Sequence, residues 1–485
     1  MQTEQDTIID RSKIPLKRVL GLFTAILLVS GIMIGSGVFK KIIPMAQTGL
    51  SEAWILGAWL IAGIISMFGA FTLSGLSSLT EESGGVYEYL RLSFGNFFSF
   101  LFGWTDFTII GSASIAALGY IFSQTVNSLV PLPNPLESLA NISIGNFIFP
   151  FANSGIKLLA IVTIVFLTWV NYRGVKNGGI INNIITSAKI LGIVIIILFG
   201  LFYNKPAIAN QPGLVINNII VPLQGAAFFS AMFGAMLSAF WAYDGWATIS
   251  FVTGEIKNPK RNVPLAIIIG VSLAIVLYVL INYAYMQVMP LQQLAAVGEN
   301  KIGAVVVAET MIGKLGRTLI VVLIMVSVFG SLNAIIMSHS RVYFRMAREK
   351  YFFKRVAYAH PVYRTPYVSL LYVMIWSCVL VVSGTFDILT DMVIFAGFLF
   401  YGLLATALFK MKTNGAIKIK VIGYPVVPVI LILFSAALII NTFIVQLKYS
   451  LIGAGLILLG VPFYYYFKYK EGQVVADKNE NNSVE

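Results

Sequence analysis

The first apolar run decides the fold of this chain: LGLFTAILLVSGIMIGSGVFKKIIPM, residues 20–45. At about 1.5 Å per residue, a helix of this length is long enough to cross a membrane hydrocarbon core roughly 30 Å thick. Its middle reads Gly31-Ile32-Met33-Ile34-Gly35-Ser36-Gly37, and closely spaced glycines favour departure from regular helix. The run therefore predicts a membrane-spanning helix that is interrupted near its centre.

The same membrane pattern continues through the rest of the chain. Of its 485 residues, 58% are hydrophobic and 11% are charged, whereas about a quarter are charged in soluble proteins. We therefore predict an all-α integral membrane protein with about twelve transmembrane helices. Besides the first, the predicted spans are residues 53–76, 96–128, 156–170, 180–203, 228–251, 264–289, 319–342, 367–384, 389–409, 426–447 and 451–467.

No soluble domain interrupts these spans. We expect a cytoplasmic segment over residues 1–18, one membrane domain over 19–470 and a disordered cytoplasmic tail over 471–485. An apolar segment at 302–312, between the seventh and eighth spans, is predicted to form a short helix on the exterior face.

The basic residues indicate how the chain is oriented. Net charge is +13, and about 24 of the 33 Lys and Arg residues fall in alternate loops on one side. This bias predicts a multi-pass protein of the cell membrane with both termini in the cytoplasm. Charge spread over loops, and not gathered on one soluble face, argues against a nucleic-acid partner. The single cysteine, Cys378, excludes an intrachain disulfide, and nothing in the sequence indicates a metal or another cofactor.

A second interrupted run supports an internal duplication. The sixth span contains Trp241-Ala242-Tyr243-Asp244-Gly245-Trp246, about 210 residues after the break in the first. Membrane transporters often contain inverted repeats whose functional helices are interrupted at matching places. If spans one to five repeat as spans six to ten, the two broken spans open the two repeats. The sequence therefore predicts a five-plus-five inverted arrangement with two added helices.

The two breaks predict a binding site for a zwitterion. Small residues such as Gly35, Ser36 and Gly37 can simply let helices pack closely. An unwound segment would instead expose backbone N–H groups at the positive end of a half-helix, where a carboxylate can bind. The break at residues 242–245 would present carbonyl oxygens to an ammonium group. Asp244 either caps the broken helix or contacts the ligand, and Trp241 is either a core aromatic or a lid.

Lys189 is the most informative single residue. It lies about halfway along the fifth span, where a lysine costs roughly 2.5–3.5 kcal/mol on insertion scales and needs a partner or a cavity. Its ammonium could replace a coupling sodium ion by bridging the first and eighth spans. Ser331 and Asn333 of the eighth span either hydrogen-bond Lys189 or hold helices together.

Three other residues in the spans are weaker candidates. Asp106 is a second intramembrane carboxylate, with no partner identifiable from the sequence. Phe395 of the tenth span could line a pocket, although a Phe there usually belongs to the core or faces lipid. His339, near the cytoplasmic end of the eighth span, is expected to be structural.

Several motifs resemble those of the amino acid–polyamine–organocation superfamily. The most specific is Gly254-Glu255-Ile256-Lys257-Asn258-Pro259-Lys260-Arg261-Asn262-Val263-Pro264, which joins spans six and seven. Matching segments occur in order along the chain: residues 31–39, 82–87 (ESGGVY), 171–174 (NYRG), 240–246 and 329–341. The chain is most similar to the L-type amino acid transporters and their bacterial serine/threonine/alanine exchanger relatives.

This resemblance implies a leucine-transporter-type fold that works by alternating access. It implies that the amides of Gly35, Ser36 and Gly37 hold the substrate carboxylate. Ile34 and Gly245 are also predicted to bind substrate. Carbonyls at Met33, Trp241, Ala242 and Asp244 would face the amine, and Trp241 would be the gate. Lys189 matches the lysine that the family associates with sodium independence.

Two departures from the family pattern bear on function. Asp244 stands where animal members often have glycine, which affects the local charge and the substrate range. The exterior-loop cysteine that binds a heavy subunit in animal members is absent, so we expect no disulfide-linked partner.

The function predicted from these features is sodium-independent exchange of small neutral L-amino acids such as serine, threonine or alanine. The substrate and membrane lipid are the expected partners. One alternative is a proton-coupled symporter with Lys189 as the titrating group, and a more remote one is a membrane sensor that does not transport. An enzyme is not expected, because no metal-ligand cluster and no nucleophile–base pair is present in the sequence.

Overall fold

The computed structural model describes residues 18, 20–82, 84–144, 148–174, 178–203, 223–298, 301–363 and 365–470. The predicted N-terminal segment, except Arg18, and the predicted tail at 471–485 lie outside the described residues, as does Ser83 of the motif at 82–87. The described residues form helices, with two isolated backbone bridges and no sheet.

The helices confirm the predicted membrane fold. Eleven described helical segments are long and apolar enough to cross a membrane, and the shorter apolar helix Tyr367–Ser383 occupies the ninth predicted span. The count of about twelve is consistent with this result, since a tilted or thinned region accommodates a short helix. In chain order the spans are Leu22–Met33 with Gly37–Lys40, Glu52–Leu76, Asn96–Leu129, Ser154–Arg173, Gly178–Leu201, Gly225–Tyr243 with Trp246–Glu255, Pro259–Val288, the later part of Gly303–Arg348, Tyr367–Ser383, Phe386–Thr413, Val426–Val445 and Leu447–Lys470.

The packing of the spans follows the predicted duplication. The second span packs on the seventh, and the third on the eighth. Several contacts between the two halves have a counterpart when a span is exchanged for the one five later. Thus the first span packs on the seventh and the sixth on the second, while the fifth packs on the eighth and the tenth on the third. This symmetry places both broken spans at the centre of the bundle.

Shorter helices cover the ends of the spans. The predicted exterior helix is present at the start of Gly303–Arg348, which kinks at Ile312 and Gly313, where Gly313 has φ 63°. Five other short helices lie in loops or continue a span: Ile42–Ala46, Val86–Phe94, Glu137–Leu139, Leu291–Ala295 and Lys354–Ala357. The third span contains a π-helical turn, Asp106–Ile110, which the sequence did not predict.

The two broken spans are tied together at the end where the chain enters the membrane. Leu20 N–H donates to Glu255 O at 3.0 Å, and Lys257 N–H donates to Leu20 O at 2.8 Å. Arg341 of the eighth span holds the Glu255 carboxylate at 2.7 Å. These contacts connect three elements on one side of the bundle: the start of the first span, the end of the sixth span and the eighth span.

Candidate functional site

The first span is interrupted where the sequence predicted. Its first helix ends at Met33, and Ile34 leaves the helical conformation with ψ 71°. Gly35 N–H then donates to Met33 O at 2.7 Å, and a helix begins again at Gly37. A Cβ at Gly37 would lie 2.5 Å from Ala242 Cα, so only glycine lets the two broken spans cross this closely. The break is therefore fixed by both local conformation and packing.

The sixth span is interrupted directly opposite. Its helix ends at Tyr243, Asp244 is extended with ψ 156°, and Gly245 has φ 103°, a conformation that favours glycine. A Cβ at Gly245 would clash with the side chain of Ile32 in the first span. The segment after it, Trp246–Glu255, winds as a 3₁₀ helix.

A cavity lies between the two breaks. Of the residues predicted to bind substrate, seven line it: Met33, Gly35, Ser36, Gly37, Trp241, Asp244 and Gly245. Ile32, Ser114, Leu118, Thr248, Ile335 and His339 complete its wall. The N–H groups of Ser36 and Gly37 have no hydrogen-bond partner among the described residues. Because buried backbone N–H groups are normally hydrogen-bonded, these two donors on the cavity wall require an acceptor.

Two predicted residues lie behind the cavity wall. The Ile34 carbonyl accepts from Ser327 Oγ at 2.9 Å and from Lys189 Nζ at 3.3 Å. The Ala242 carbonyl lies 3.0 Å from the hydroxyl of Tyr278. Both carbonyls therefore hold the breaks in place.

Trp241 lies across the break of the first span. Its indole Nε1–H donates to Ser36 Oγ at 3.0 Å, and its ring packs edge-on against Phe386 of the tenth span, with centroids 5.9 Å apart. The side chain is buried and covers one end of the cavity. This position allows Trp241 to close the cavity on that side.

Lys189 joins the fifth span to the first and the eighth. Its Nζ lies 2.9 Å from Gly31 O and 3.0 Å from Ser331 Oγ, in addition to the contact with Ile34 O. Ser331 also donates to Gly31 O at 2.8 Å. Gly31 and Ile34 are among the last residues before the helix resumes, so the ammonium supplies donors to carbonyls that the break leaves without helical partners.

For Asn333 and Phe395, the structure decides between the readings that the sequence left open. Asn333, grouped with Lys189, instead accepts a hydrogen bond from Asn171 of the fourth span at 2.7 Å, because it lies on another face of the eighth helix. Phe395 does not line the cavity; it packs against Phe443, with ring centroids 5.4 Å apart, and against Gly453. Both residues hold helices together.

Tyr278 is a central residue that the sequence did not single out. Its hydroxyl lies 2.7 Å from Met33 O and 3.0 Å from Ala242 O, so one side chain of the seventh span contacts both breaks. Tyr278 is wholly buried. A tyrosine inside an apolar span gives only a weak signal, because tyrosines are common at the ends and in the cores of membrane helices.

Two carboxylates lie at or near the cavity, each with a partner. Asp244 accepts a hydrogen bond from the Tyr401 hydroxyl at 2.8 Å. Asp106, for which the sequence offered no partner, lies 2.9 Å from Nδ1 of His339. His339 was expected to be structural only, yet it forms part of the cavity wall.

Beyond Trp241, two buried lysines and two partly exposed carboxylates join the first and tenth spans; we call Lys40, Lys41, Asp387 and Asp391 the Lys41 cluster. Lys41 Nζ lies 2.7 Å from Asp387 and 3.7 Å from Asp391. Lys40 Nζ lies 4.0 Å from Asp387 and donates to Gln124 of the third span at 2.9 Å. The cluster lies on the face opposite the Leu20–Glu255 contacts, so polar contacts join the spans on both sides of the cavity.

Comparison with known proteins agrees with this architecture. The model of a family described as amino acid permease matches residues 20–463. The serine/threonine exchanger SteT of Bacillus subtilis (strain 168) is 30% identical over 93% of this chain and 97% of its own length. The b(0,+)-type amino acid transporter 1 of Mus musculus is 28% identical over 94% of this chain and 88% of its own. The large neutral amino acids transporter small subunit 2 of Homo sapiens is 28% identical over 93% and 81%.

Proposed function

Because the chain belongs to the amino acid permease family, and so is a membrane transporter of amino acids and not an enzyme, we propose that it exchanges small neutral L-amino acids without sodium. The observation that carries this proposal is the cavity between the two helix breaks, with Lys189 fixed behind it. Alternating access then opens the cavity first to one side of the membrane and then to the other.

The backbone groups at the two helix breaks suit the carboxylate and ammonium groups that all amino acids share. The N–H groups of Ser36 and Gly37 are free to bind a carboxylate, and they lie at the start of the resumed first helix. Asp244, on the cavity wall after the end of the sixth-span helix, suits the ammonium group. We assign Met33, Gly35, Trp241 and Gly245 to the wall of this site, with Trp241 as its gate, and Ile34 and Ala242 to the layer that supports the wall from behind.

The remaining wall suits a small side chain. Ser114 and Thr248 provide hydroxyl groups, while Leu118 and Ile335 limit the space. A short side chain with or without a hydroxyl group fits such a wall better than a large aromatic one. The name of the Bacillus subtilis relative, a serine/threonine exchanger, supports the same substrate class.

Lys189 supports sodium independence. A sodium ion between the first and eighth spans would need oxygen ligands such as Gly31 O, Ile34 O and Ser331 Oγ. The Lys189 ammonium contacts these three oxygens at 2.9, 3.3 and 3.0 Å. Because the Lys189 ammonium occupies the position of the sodium ion, the transport cycle does not require sodium from solution. We assign the coupling role to Lys189 and Ser331.

The charge bias of the loops supports a cell-membrane protein with both termini in the cytoplasm. The Lys41 cluster then faces the exterior, and the Leu20–Glu255 contacts face the cytoplasm. The one cysteine, Cys378, is half-buried in the ninth span, so we propose that no disulfide-linked subunit is needed.

Transport by purified protein in liposomes tests the proposal. Liposomes preloaded with unlabelled L-serine or L-alanine receive a radiolabelled mixture of neutral amino acids, and empty liposomes are assayed in parallel, each with and without sodium. We expect uptake only with internal substrate and no effect of sodium. Uptake that requires sodium would contradict the role of Lys189.

A pH gradient across empty liposomes separates exchange from proton symport. Accumulation that follows the gradient without internal substrate would contradict obligate exchange and favour the proton-coupled alternative. If the liposomes took up cationic amino acids but no neutral amino acid under any condition, the proposed substrate class would be overturned.

A further inference from the structure

The loop that follows the eighth span packs against the end of the twelfth span. The rings of Tyr351 and Tyr464 stack with centroids 5.6 Å apart, and the ring of Phe353 meets that of Phe467 edge-on at 5.3 Å. Tyr351, Tyr464 and Phe467 are buried. Because three of these four aromatic side chains are removed from the surface, the contact holds the loop on the helix.

This contact brings basic residues from two distant parts of the chain to one region of the surface. Lys354 and Arg355 directly follow the loop phenylalanine, and Lys468 directly follows the phenylalanine of the helix. All three side chains are exposed, and none has an ion-pair partner among the described residues. By contrast, Arg341, at the same end of the bundle, is held by the Glu255 carboxylate at 2.7 Å. The three cations are therefore available to a negatively charged partner.

Carboxylates are absent from the sequence on either side of this contact. The chain has no Asp or Glu at 350–386 or at 392–470, which include the loop and the whole twelfth span. Glu349, just before the loop, is paired with Arg345 at 3.0 Å. At the end of the twelfth span, Lys470 lies over the ring of Tyr466, with Nζ 6.0 Å from the centroid, and Glu471 lies outside the described residues. We call four exposed residues the basic patch: Lys354, Arg355, Lys468 and Lys470.

An exposed stripe of the twelfth span leads to the basic patch. Its positions recur at intervals of three or four residues, so they lie along one side of the helix. They are Leu451, Gly455, Leu458, Pro462, Tyr466 and Tyr469. The stripe is apolar for most of its length and ends in two tyrosines, a residue type enriched where a membrane meets water. The stripe thus faces lipid tails, and the patch lies at the level of the headgroups.

We propose that the basic patch binds the headgroup of an anionic phospholipid whose acyl chains lie along this stripe. The Arg355 guanidinium can bind two phosphate oxygens at once, and the three lysines act as point charges. The tyrosine hydroxyls at the end of the stripe can donate further hydrogen bonds. A phospholipid without net charge gains less from the patch, because basic residues beside a spanning helix attract anionic lipids. This inference does not depend on which solute the protein carries.

Fluorescence quenching by spin-labelled lipids tests the proposal at the stripe itself. Cys378 is replaced by Ala, and Leu458→Cys carries a fluorophore. Leu458 is 64% exposed and about 16 Å from Tyr469 along the helix axis, which places it beside the acyl chains. The labelled protein is placed in phosphatidylcholine nanodiscs. These contain a small fraction of phosphatidylglycerol or phosphatidylcholine with a doxyl group in the middle of one chain.

Two double variants separate the patch from the overall charge of the protein. Arg355→Gln with Lys468→Gln removes two charges of the patch. The matched control, Lys257→Gln with Arg261→Gln, also removes one lysine and one arginine, both exposed between the sixth and seventh spans.

We expect the phosphatidylglycerol probe to quench the fluorophore at a mole fraction at least about fivefold lower than the phosphatidylcholine probe, since each basic residue near an anionic lipid contributes roughly this factor. The patch variant should lose this preference, and the control should keep it. Equal quenching by both probes in the protein with an intact patch would overturn the inference, as would a preference that survives in the patch variant. An equal loss of preference in the control would also overturn it, because the lipid would then respond to total charge and not to the patch.

Discussion

The ammonium of Lys41 lies 2.7 Å from the carboxylate of Asp387 and connects the resumed half of the first span to the start of the tenth. The side chain of Lys41 is 1% exposed, and its Nζ also lies 2.8 Å from Thr390 Oγ. If the first and tenth spans separate, these contacts must break together. The cavity therefore opens toward this face only when the electrostatic attraction within the Lys41 cluster is overcome.

We expect Lys41→Met to increase opening on this side. Removing one partner of a buried ion pair costs about 3–5 kcal/mol, and the 39% exposure of Asp387 reduces this cost. A tenfold shift toward the open state, equivalent to about 1.4 kcal/mol, is the expected minimum. Cys378 is first replaced by Ala and a single cysteine is placed at Ser114 on the cavity wall. The rate at which an impermeant thiol reagent labels it from outside should rise at least about tenfold.

Lys314→Met is the matched control, since Lys314 is exposed at the same end of the molecule and outside the Lys41 cluster. It should leave the labelling rate unchanged. Equal labelling of the Lys41→Met and Lys314→Met proteins would rule out the cluster as a barrier to opening.

Gly37 and Gly35 should differ sharply in their tolerance of alanine. A Cβ at Gly37 would lie 2.5 Å from Ala242 Cα, whereas at Gly35 the nearest atom would be 3.6 Å away. Since the backbone of the sixth span cannot yield as a flexible side chain could, Gly37→Ala should reduce serine transport by about 100-fold or more, about 2.7 kcal/mol. Gly35→Ala should retain measurable transport, and both proteins are compared at equal membrane expression.

A larger residue at Gly35 tests the carboxylate site itself. Gly35→Leu would fill the cavity wall beside the free N–H groups of Ser36 and Gly37. We expect loss of serine binding in a direct binding assay. Retained affinity would mean that the carboxylate binds elsewhere.

Lys189→Ala should abolish or severely slow transport without preventing membrane insertion. The variant leaves Gly31 O and Ile34 O without the ammonium that bonds them at 2.9 and 3.3 Å, and the break loses its connection to the fifth span. Lys157 is a matched control, because its ammonium also binds backbone carbonyls, those of Phe149 at 2.6 Å and Val382 at 3.0 Å, but away from the cavity. Lys157→Ala should lower thermal stability and retain transport. Near-normal exchange by Lys189→Ala would remove its coupling role.

The hydrogen bond between Trp241 and Ser36 can be removed from either end. Trp241→Phe and Ser36→Ala each eliminate the 3.0 Å contact. A hydrogen bond of this kind contributes about 0.5–1.5 kcal/mol, so each change should weaken closure roughly two- to tenfold. If the bond acts as one unit, the double variant will show less than the sum of both effects in serine binding. Strict additivity would mean that the bond does not contribute to closure.

The sequence was sufficient to predict features that depend on the lipid environment or on the local backbone conformation. Long apolar runs predict spans because an unsatisfied backbone is too costly in a membrane. Glycines at 37 and 245 mark the breaks because other residues resist the required contact or conformation. The sequence also led us to expect oxygen partners for Lys189, because a lysine near the middle of the membrane needs hydrogen-bond acceptors.

Contacts between distant residues could not be derived in the same way. Met33 and Tyr278 are 245 residues apart, and Asp106 and His339 are 233 residues apart. Which side chains meet depends on helix rotation, and a rotation of about 100° separates neighbouring residues. Asn333 illustrates the problem, because it lies two residues from Ser331 yet faces Asn171 and not Lys189.

The attachment of the Lys189 ammonium to the fifth span has a thermodynamic consequence. A cation bound through its own covalent chain returns with the protein in every cycle and has no concentration on either side of the membrane. It can neutralise carbonyl dipoles at 2.9 and 3.3 Å, but it releases no free energy by crossing. Under the exchange proposed above, net movement of any amino acid is set by the pools of the other solutes that enter the same cavity, and the cell controls direction by what it accumulates.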